Sequence, residues 1–463
     1  MNILLTAINA KYIHSNLAVY SLRACAGEYR DAVELAEYTI NNQKDYILEE
    51  LYKRKPDVLC FSCYIWNIDY VTDIAREYKK LCPSVPIWVG GPEVSYEVEA
   101  FLRENPYIDG VMIGEGEDTF RELCGYYAHK RKLSDIAGIA FRKNSTGNST
   151  SNRTSVNNAG CKADEIVFTS PRPIKNMSEI PFCYDTLDDF SNRIIYYESS
   201  RGCPFSCSYC LSSVDKTLRF RDTEIVKREL KFFIDQKVPQ IKFVDRTFNC
   251  NHAHAMELWR FIKANDNGVT NFHFEISADL LNQEELELIS DMRPGLIQLE
   301  IGVQSTNEVT IKEIHRTMKL ERLKEVVKLI QSGNNIHEHL DLIAGLPYED
   351  YDSFGRSFDE IYELKPNQLQ LGFLKVLKGS YMFEHAAEYG IVYHDKPPYE
   401  VMSTKWLSFD DVIKIKRVEE MLEVYYNSGQ FEITMKLMEC IFDSAFGFFR
   451  SLEIFMRQTA ILE

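Results

Sequence analysis

The stretch Arg201 to Cys210, RGCPFSCSYC, places three cysteines in one short loop with the spacing C-x3-C-x2-C: Cys203, Cys207 and Cys210. A four-iron cluster ordinarily takes four thiolates, so a loop supplying three leaves one iron open, and an open iron is a place for a substrate to bind. The same residues could form a zinc loop or be three unrelated thiols. Zinc sites usually pair C-x2-C with a second ligand pair downstream, and the sequence offers no such pair.

Two runs of alternating strands and helices must position this loop. From residue 1 to about 125, apolar strands at NILLTAI, AVELAEY, DVLCFSCYI, PIWVGG and DGVMIG alternate with amphipathic helices, the pattern of a doubly wound parallel sheet. Ligands bind such sheets at the carboxyl ends of the strands. There the sequence has Ser62, then Gly90 and Gly91, then Gly114 and Glu115 immediately before a helix.

The second run, about 193 to 384, has six strand and helix units and begins at the cysteine loop: RIIYYES, QIKFVD, NFHFEIS, LIQLEIGV, HEHLDLIAG and NQLQLGFLKV. Its strand ends carry Asp245 and Arg246, Glu275 and Ser277, Glu300 with Gln304 and Ser305, and Asp341. Reactive residues in barrels gather at these ends. His337 and His339 share one face of strand five but lack a third metal partner and read as packing or substrate contacts, while His252 and His254 lie at a helix start, where an i,i+2 pair does not share a face.

Five motifs in this order, VGGPE, GEGEDTF, RGCPFSCSYC, GVQS and DLIAGLP, resemble the radical S-adenosylmethionine (SAM) enzymes whose barrel follows a cobalamin-binding domain. The likeness covers about the first 380 residues. It implies an α/β fold: a cobalamin-binding-like Rossmann-type domain (1–140), a linker (141–192) and a partial (β/α)6 radical SAM barrel (193–384), to which the helical pattern beyond adds a helical C-terminal region (385–463). It implies that Cys203, Cys207 and Cys210 hold a 4Fe-4S cluster whose open iron chelates SAM. One electron then cleaves the sulfonium to methionine and a 5'-deoxyadenosyl radical, so that the cofactor carries the hard chemistry.

Tyr209, Asp245, Arg246, Glu275, Glu300, Gln304 and Ser305 are the expected SAM contacts, and Ser62, Gly90, Gly91, Gly114 and Glu115 the expected cobalamin contacts. The D-x-H-x-x-G motif that supplies an axial histidine in methionine synthase-like proteins is absent. The corresponding loop, Asn9-Ala10-Lys11-Tyr12-Ile13-His14, leaves the lower face of the cobalt unassigned. The expected reaction is methyl transfer to an unactivated carbon. The alternatives are non-methylating radical chemistry, such as rearrangement, cyclisation or sulfur insertion, and a non-catalytic cluster-containing sensor. Reduction of the cluster calls for an electron donor such as flavodoxin or ferredoxin.

Composition bounds the partners. The chain has 463 residues, enough for two or three domains, and a formal net charge of -16, which disfavours nucleic acid. A small molecule or peptide is the favoured substrate. No run of about 18 apolar residues is present to span a bilayer, and the twelve cysteines form no regular disulfide framework. Both point to a cytoplasmic protein. The segment Asn144 to Gly160 is too polar to bury and reads as a disordered loop; its sequons at Asn144, Asn148 and Asn152 then have no glycosylation meaning. Beyond about residue 385, Ile415, Val418, Met421, Leu422 and Tyr425 are spaced for an amphipathic helix packed on the barrel. The chain stops in an apolar helical stretch, which leaves open whether it continues in a longer protein.

Overall fold

A computed structural model describes residues 1–143, 165–190, 192–214 and 216–459. The expected polar loop and its three sequons lie outside them. The chain divides into two units, Met1–Arg193 and Ile194–Glu463.

The first unit runs β1 (Ile3–Asn9), α1 (Leu17–Cys25), β2 (Val33–Thr39), α2 (Lys44–Arg54), β3 (Val58–Ser62), α3 (Ile68–Leu81), β4 (Ile87–Gly90), α4 (Val98–Glu104), β5 (Gly110–Met112), α5 (Glu117–Tyr127), β6 (Ile139–Arg142) and β7 (Ile166–Phe168). Its strands form one sheet of order β2-β1-β3-β4-β5-β6-β7. Strands β1 to β5 are parallel, while β6 and β7 add antiparallel to the β5 edge. The expected linker is corrected here: its hairpin belongs to the sheet. Every residue of β1 and β3 is buried, as central parallel strands covered on both faces require. The order reverses between β1 and β3, so the crevice outside their carboxyl ends is the topological switch point of the unit.

The second unit runs β8 (Ile195–Tyr197), β9 (Ser200–Arg201), β10 (Arg219–Phe220), α6 (Thr223–Asp235), β11 (Gln240–Phe243), α7 (His252–Ala264), β12 (Asn271–Ile276), α8 (Gln283–Ser290), β13 (Ile297–Gln304), α9 (Glu308–Glu313), α10 (Leu320–Gly333), β14 (His337–Ala344), α11 (Tyr351–Tyr362) and β15 (Gln368–Phe373). Strands β8, β11, β12, β13, β14 and β15 form a six-stranded parallel sheet in sequence order. Strand β13 shows its period: Ile297, Leu299, Ile301 and Val303 are buried, while Gln298, Glu300, Gly302 and Gln304 lie on the other, polar face.

The chain then adds α12 (Tyr381–Glu384), an unexpected hairpin of β16 (Val392–Tyr393) and β17 (Val401–Ser403), and α13 (Phe409–Leu422), α14 (Glu432–Glu439) and α15 (Ala445–Gln458). Ile415, Val418, Met421 and Leu422 are buried as the spacing predicts; Tyr425 falls in a π-helical turn and is half-buried. Phe446 packs on Phe354 and Phe358 of α11, whereas Ile433, Leu437 and Ile441 face outward. No helix among the described residues is long and apolar enough to cross a membrane.

One charge is placed against this pattern. Glu338 lies on the apolar side of β14 with Leu340 and Leu342, fully buried and with neither carboxyl oxygen hydrogen-bonded. Burial pushes its carboxyl up to about 8, with Gln331 opposing. A carboxyl raised this way favours the fold while protonated, and that contribution is lost as pH rises from the unfolded value through about 8. Glu338→Gln should therefore stabilise the protein by on the order of 1–4 kcal/mol near about pH 9, with the gain vanishing near about pH 4.5. Thermal unfolding across pH checks this, and a gain independent of pH would refute it.

Candidate active site

The cysteine loop leaves β8 and is pinned at its centre. Ser208 N–H donates to the Ile314 carbonyl at 2.9 Å, and the Ser208 carbonyl accepts from Met382 N–H at 2.9 Å. This strap holds Cys207 on one side and Tyr209 on the other. Cys203 and Cys207 are buried, Cys210 is half-buried, and all three are free thiols. Cys203 Sγ lies 4.0 Å from Thr247 Oγ1 beyond β11, and Cys207 Sγ lies 3.9 Å from Arg316 Nη1. Three soft donors with a cation beside one of them fit an iron–sulfur cluster. Among the described residues no group of three or more His, Cys, Asp or Glu side chains is gathered round a single metal-ion position, the three thiols included.

Next to the loop is a small polar cavity of about 140 Å³, lined by Phe205, Cys207, Arg246, Thr247, Glu275, Ile276, Ser277, Glu300, Gly302, Gln304, Arg316, Thr317 and Asp341. Four of the expected SAM contacts are thus brought together: Arg246, Glu275, Glu300 and Gln304. Burial raises the Glu275 carboxyl to about 7 and pushes Asp341 well above the usual carboxylate range. Glu300 goes the other way. Burial opposes its charge, but His273 at 3.0 Å and Lys242 at 2.9 Å outweigh it and hold the pKa at about 2. Gln304 Oε1 and Asp341 Oδ1 are buried and carry no hydrogen bond, so the cavity presents unmet acceptors together with guanidinium donors. A zwitterionic amino acid group has the complementary donors and acceptors, and the residues fit the amino acid end of SAM.

The other expected contacts sit elsewhere. Asp245 is spent on the fold: its carboxylate accepts from Ser199 N–H at 2.9 Å and from the Ser199 and Ser200 hydroxyls at 2.6 Å. Ser305 donates to Glu349 at 2.7 Å from a fully buried position. Neither lines the cavity. Tyr209 turns its hydroxyl to Arg316 Nη1 at 3.2 Å. Arg316, Thr247 and Thr317 escape the sequence reading. Arg316 lies past α9, off any strand end, so no motif position marks it. Of the histidine pairs, His254 is a buried partner of Ser199 and His252 an outward partner of Glu285. His339 sits 3.2 Å from Asp341 on the polar face.

In the first unit, the expected cobalamin residues share the carboxyl edge of the sheet. Ser62 is buried and accepts from Asn16 Nδ2 at 3.3 Å. Gly91 has φ +119, and a Cβ there would drive into the Cys63 carbonyl, so β4 can turn only with glycine. At Gly114 a Cβ would meet nothing within 4 Å, so the edge is open there. Glu115 accepts from Lys175 N–H at 3.2 Å.

The switch point itself displays Tyr12, Ile13 and Trp66, which are 67%, 45% and 42% exposed. Trp66 stacks on Tyr64 with centroids 4.5 Å apart, and its indole N–H donates to the Ile8 carbonyl at 3.1 Å. The loop before α1 is fixed beneath by Glu37, which accepts from Asn9 Nδ2, Asn16 N–H and Arg193 Nη1. Arg193 and Asn9 also donate to the His14 carbonyl. A flat aromatic surface over a rigid polar base fits a large, flat macrocycle such as a corrin.

Comparison with known proteins follows the same division. The B12 binding domain family matches residues 3–124, the radical SAM superfamily residues 197–361, and a protein family of unknown function, DUF4080, residues 387–463. The cobalamin-dependent radical SAM methyltransferase TokK of Streptomyces tokunonensis is 28% identical over 73% of this chain and 49% of its own length. The 2-(S-pantetheinyl)-carbapenam-3-carboxylate methyltransferase of Streptantibioticus cattleyicolor is 26% identical over 66% of this chain and 45% of its own. The chain thus spans about half the length of these two relatives.

In fold it is similar to the radical SAM methyltransferase TsrM of Kitasatospora setae, solved with cobalamin and a 4Fe-4S cluster bound. The TM-score is 0.65 at 16% identity, covering 86% of this chain and 82% of that one. The two domains bring a cofactor set of cobalamin, a 4Fe-4S cluster and SAM. The chain thus carries a B12 binding domain ahead of a radical SAM domain that opens on its three-cysteine loop, the domain arrangement of the radical SAM enzymes with a cobalamin-binding domain.

Proposed function

We propose that the protein transfers a methyl group to an unactivated carbon of a small-molecule or peptide substrate. The observation that carries this reading is the pairing, on one chain, of a three-thiol loop beside a polar cavity with a B12 binding domain whose switch point is open and aromatic. Relatives named as methyltransferases support it. When bound, the cluster and SAM supply a 5'-deoxyadenosyl radical and the corrinoid supplies the methyl group.

The chain's own residues bind and orient. Cys203, Cys207 and Cys210 hold the cluster. Arg246 takes the carboxylate of SAM, while Gln304 Oε1 and the Glu275 and Asp341 carboxyls receive its ammonium group; Tyr209 closes the loop side of the site. Glu300, kept ionised by Lys242 and His273, fixes the charge of the cavity floor. Tyr12, Tyr64 and Trp66 seat the corrin at the switch point, with the Gly91 and Gly114 edges leaving it room. Side chains fixed within each unit hold each group in place, the positioning that radical transfer needs. A flavodoxin- or ferredoxin-class protein delivers the electron.

Two measurements test this. Anaerobically reconstituted protein given SAM and a reductant should release 5'-deoxyadenosine and, with its substrate, a product heavier by one methyl replacing hydrogen. The Cys203→Ala, Cys207→Ala, Cys210→Ala triple variant should release none. Deoxyadenosine formed without any methylated product across candidate substrates would favour the non-methylating chemistry instead. For the corrinoid, Gly114→Asn is expected to change stability by no more than about 0.5 kcal/mol, because Asn tolerates the left-handed backbone and its side chain enters open space. Its corrinoid retention, read from the absorbance of the purified protein, should fall at least about tenfold, about 1.4 kcal/mol in binding; full retention would remove Gly114 from the pocket.

A further inference from the structure

Arg316 carries a charge for which the described protein supplies no anion. Its Nη1 donates to the Tyr209 hydroxyl at 3.2 Å, its Nη2 donates to the Gly302 carbonyl, and its Nε is buried without a partner. Glu275 and Asp341 line the same cavity, yet neither forms an ion pair with it. The acidic group it does touch is Cys207 Sγ, 3.9 Å from Nη1. A guanidinium partly withdrawn from water is costly without a counter-charge, and a cysteine that ligates iron is a thiolate.

We propose that Arg316 is the counter-cation of the cluster at its Cys207 corner and raises the cluster's reduction potential. The Coulomb argument has a definite sign. Reduction adds one electron from a flavin or iron–sulfur donor protein, with no bond made or broken and no proton moved. A fixed positive charge in contact with a ligand sulfur stabilises the more negative, reduced state over the oxidised one, and contacts to the sulfurs are among the protein's levers on cluster potential. The Gly302 carbonyl and Tyr209 hydroxyl aim the guanidinium at that sulfur, so Arg316 is a positioning residue for the electron-transfer step. The inference rests on the cluster assignment and is independent of whether a methyl group is transferred.

The test is the midpoint potential of the cluster in the full chain, reconstituted anaerobically without SAM and followed by the electron paramagnetic resonance signal of the reduced state. At the wild-type midpoint, Arg316→Gln should shift the reduced-to-oxidised ratio about tenfold toward oxidised, a fall of about 59 mV for one electron. Arg316→Lys keeps the charge and should stay within about threefold of wild type. A Gln variant with full iron content and the wild-type midpoint would overturn the proposal. The same midpoint with weakened SAM binding would overturn it too, and would assign the guanidinium to the carboxylate of SAM. Should the Gln variant fail to assemble its cluster, Thr317→Asp replaces it, placing a carboxylate beside the guanidinium from an exposed position that lines the cavity. Its midpoint should fall in the same direction, and an unchanged midpoint refutes the idea. Wild-type protein that takes up no iron would instead fail the cluster assignment itself.

Discussion

The second unit depends on keeping one carboxylate ionised inside a sheet. Glu300 lies mid-strand on the polar face of β13, where desolvation alone would neutralise it. Register prevents that. Lys242 pairs with His273 across β11 and β12, and Glu275 with Glu300 across β12 and β13, so Lys242 and His273 come within 3.0 Å of the Glu300 carboxylate. Glu275 receives no such partner among the described residues, and Asp341 meets His339 Nε2 at 3.2 Å, an imidazole whose pKa burial lowers; both carboxyls are raised by burial. Three carboxyls on one face are thereby driven apart in proton affinity, which lets one cavity offer both a fixed negative charge and groups poised to give or take a proton.

The same strand turns its last residues into the cavity. The register with β14 slips between Gly302 and Gln304, and Gln304 takes φ +75, a left-handed conformation that costs of order 1–3 kcal/mol for a residue with a side chain. Surrounding structure holds it there: Ser305 is locked on Glu349, and the Gly302 carbonyl is locked on Arg316. The strain keeps the Gln304 amide at the cavity wall, with its oxygen unbonded.

Much of this was legible in the sequence because strand alternation is a local signal. IQLEIGVQ announces which residues share a face, and Glu275, Glu300, Gln304 and Asp341 do line the cavity. Alternation does not say what a side chain will bond to. Asp245 and Ser305 occupy strand ends as plausible as the others, yet both are captured by hydroxyl or carboxyl groups 44 to 46 residues away in sequence. Arg316 meets a cysteine 109 residues distant, a pairing that only the folded chain creates. The hairpin β6 and β7 was recognisable, but not that it would extend the first sheet, since strand propensity does not choose a pairing edge.

Asp245 shows why a residue outside the cavity still governs it. Ser199 and Ser200 stand at the base of the cysteine loop, and their hydroxyls converge on Asp245 Oδ1 at the end of β11. Because Ser199 gives its proton to the carboxylate, the contact from His254 Nε2, 3.0 Å from Ser199 Oγ, must be a donated N–H. Burial lowers the His254 pKa to about 4 and raises that of Asp245 to about 6. At neutral pH the clamp is therefore a neutral imidazole, two hydroxyls and an ionised carboxylate, with every proton assigned. It ties the end of β8 to the end of β11 and α7, so the stem of the loop that carries the three thiols is fixed by a carboxylate that touches none of them.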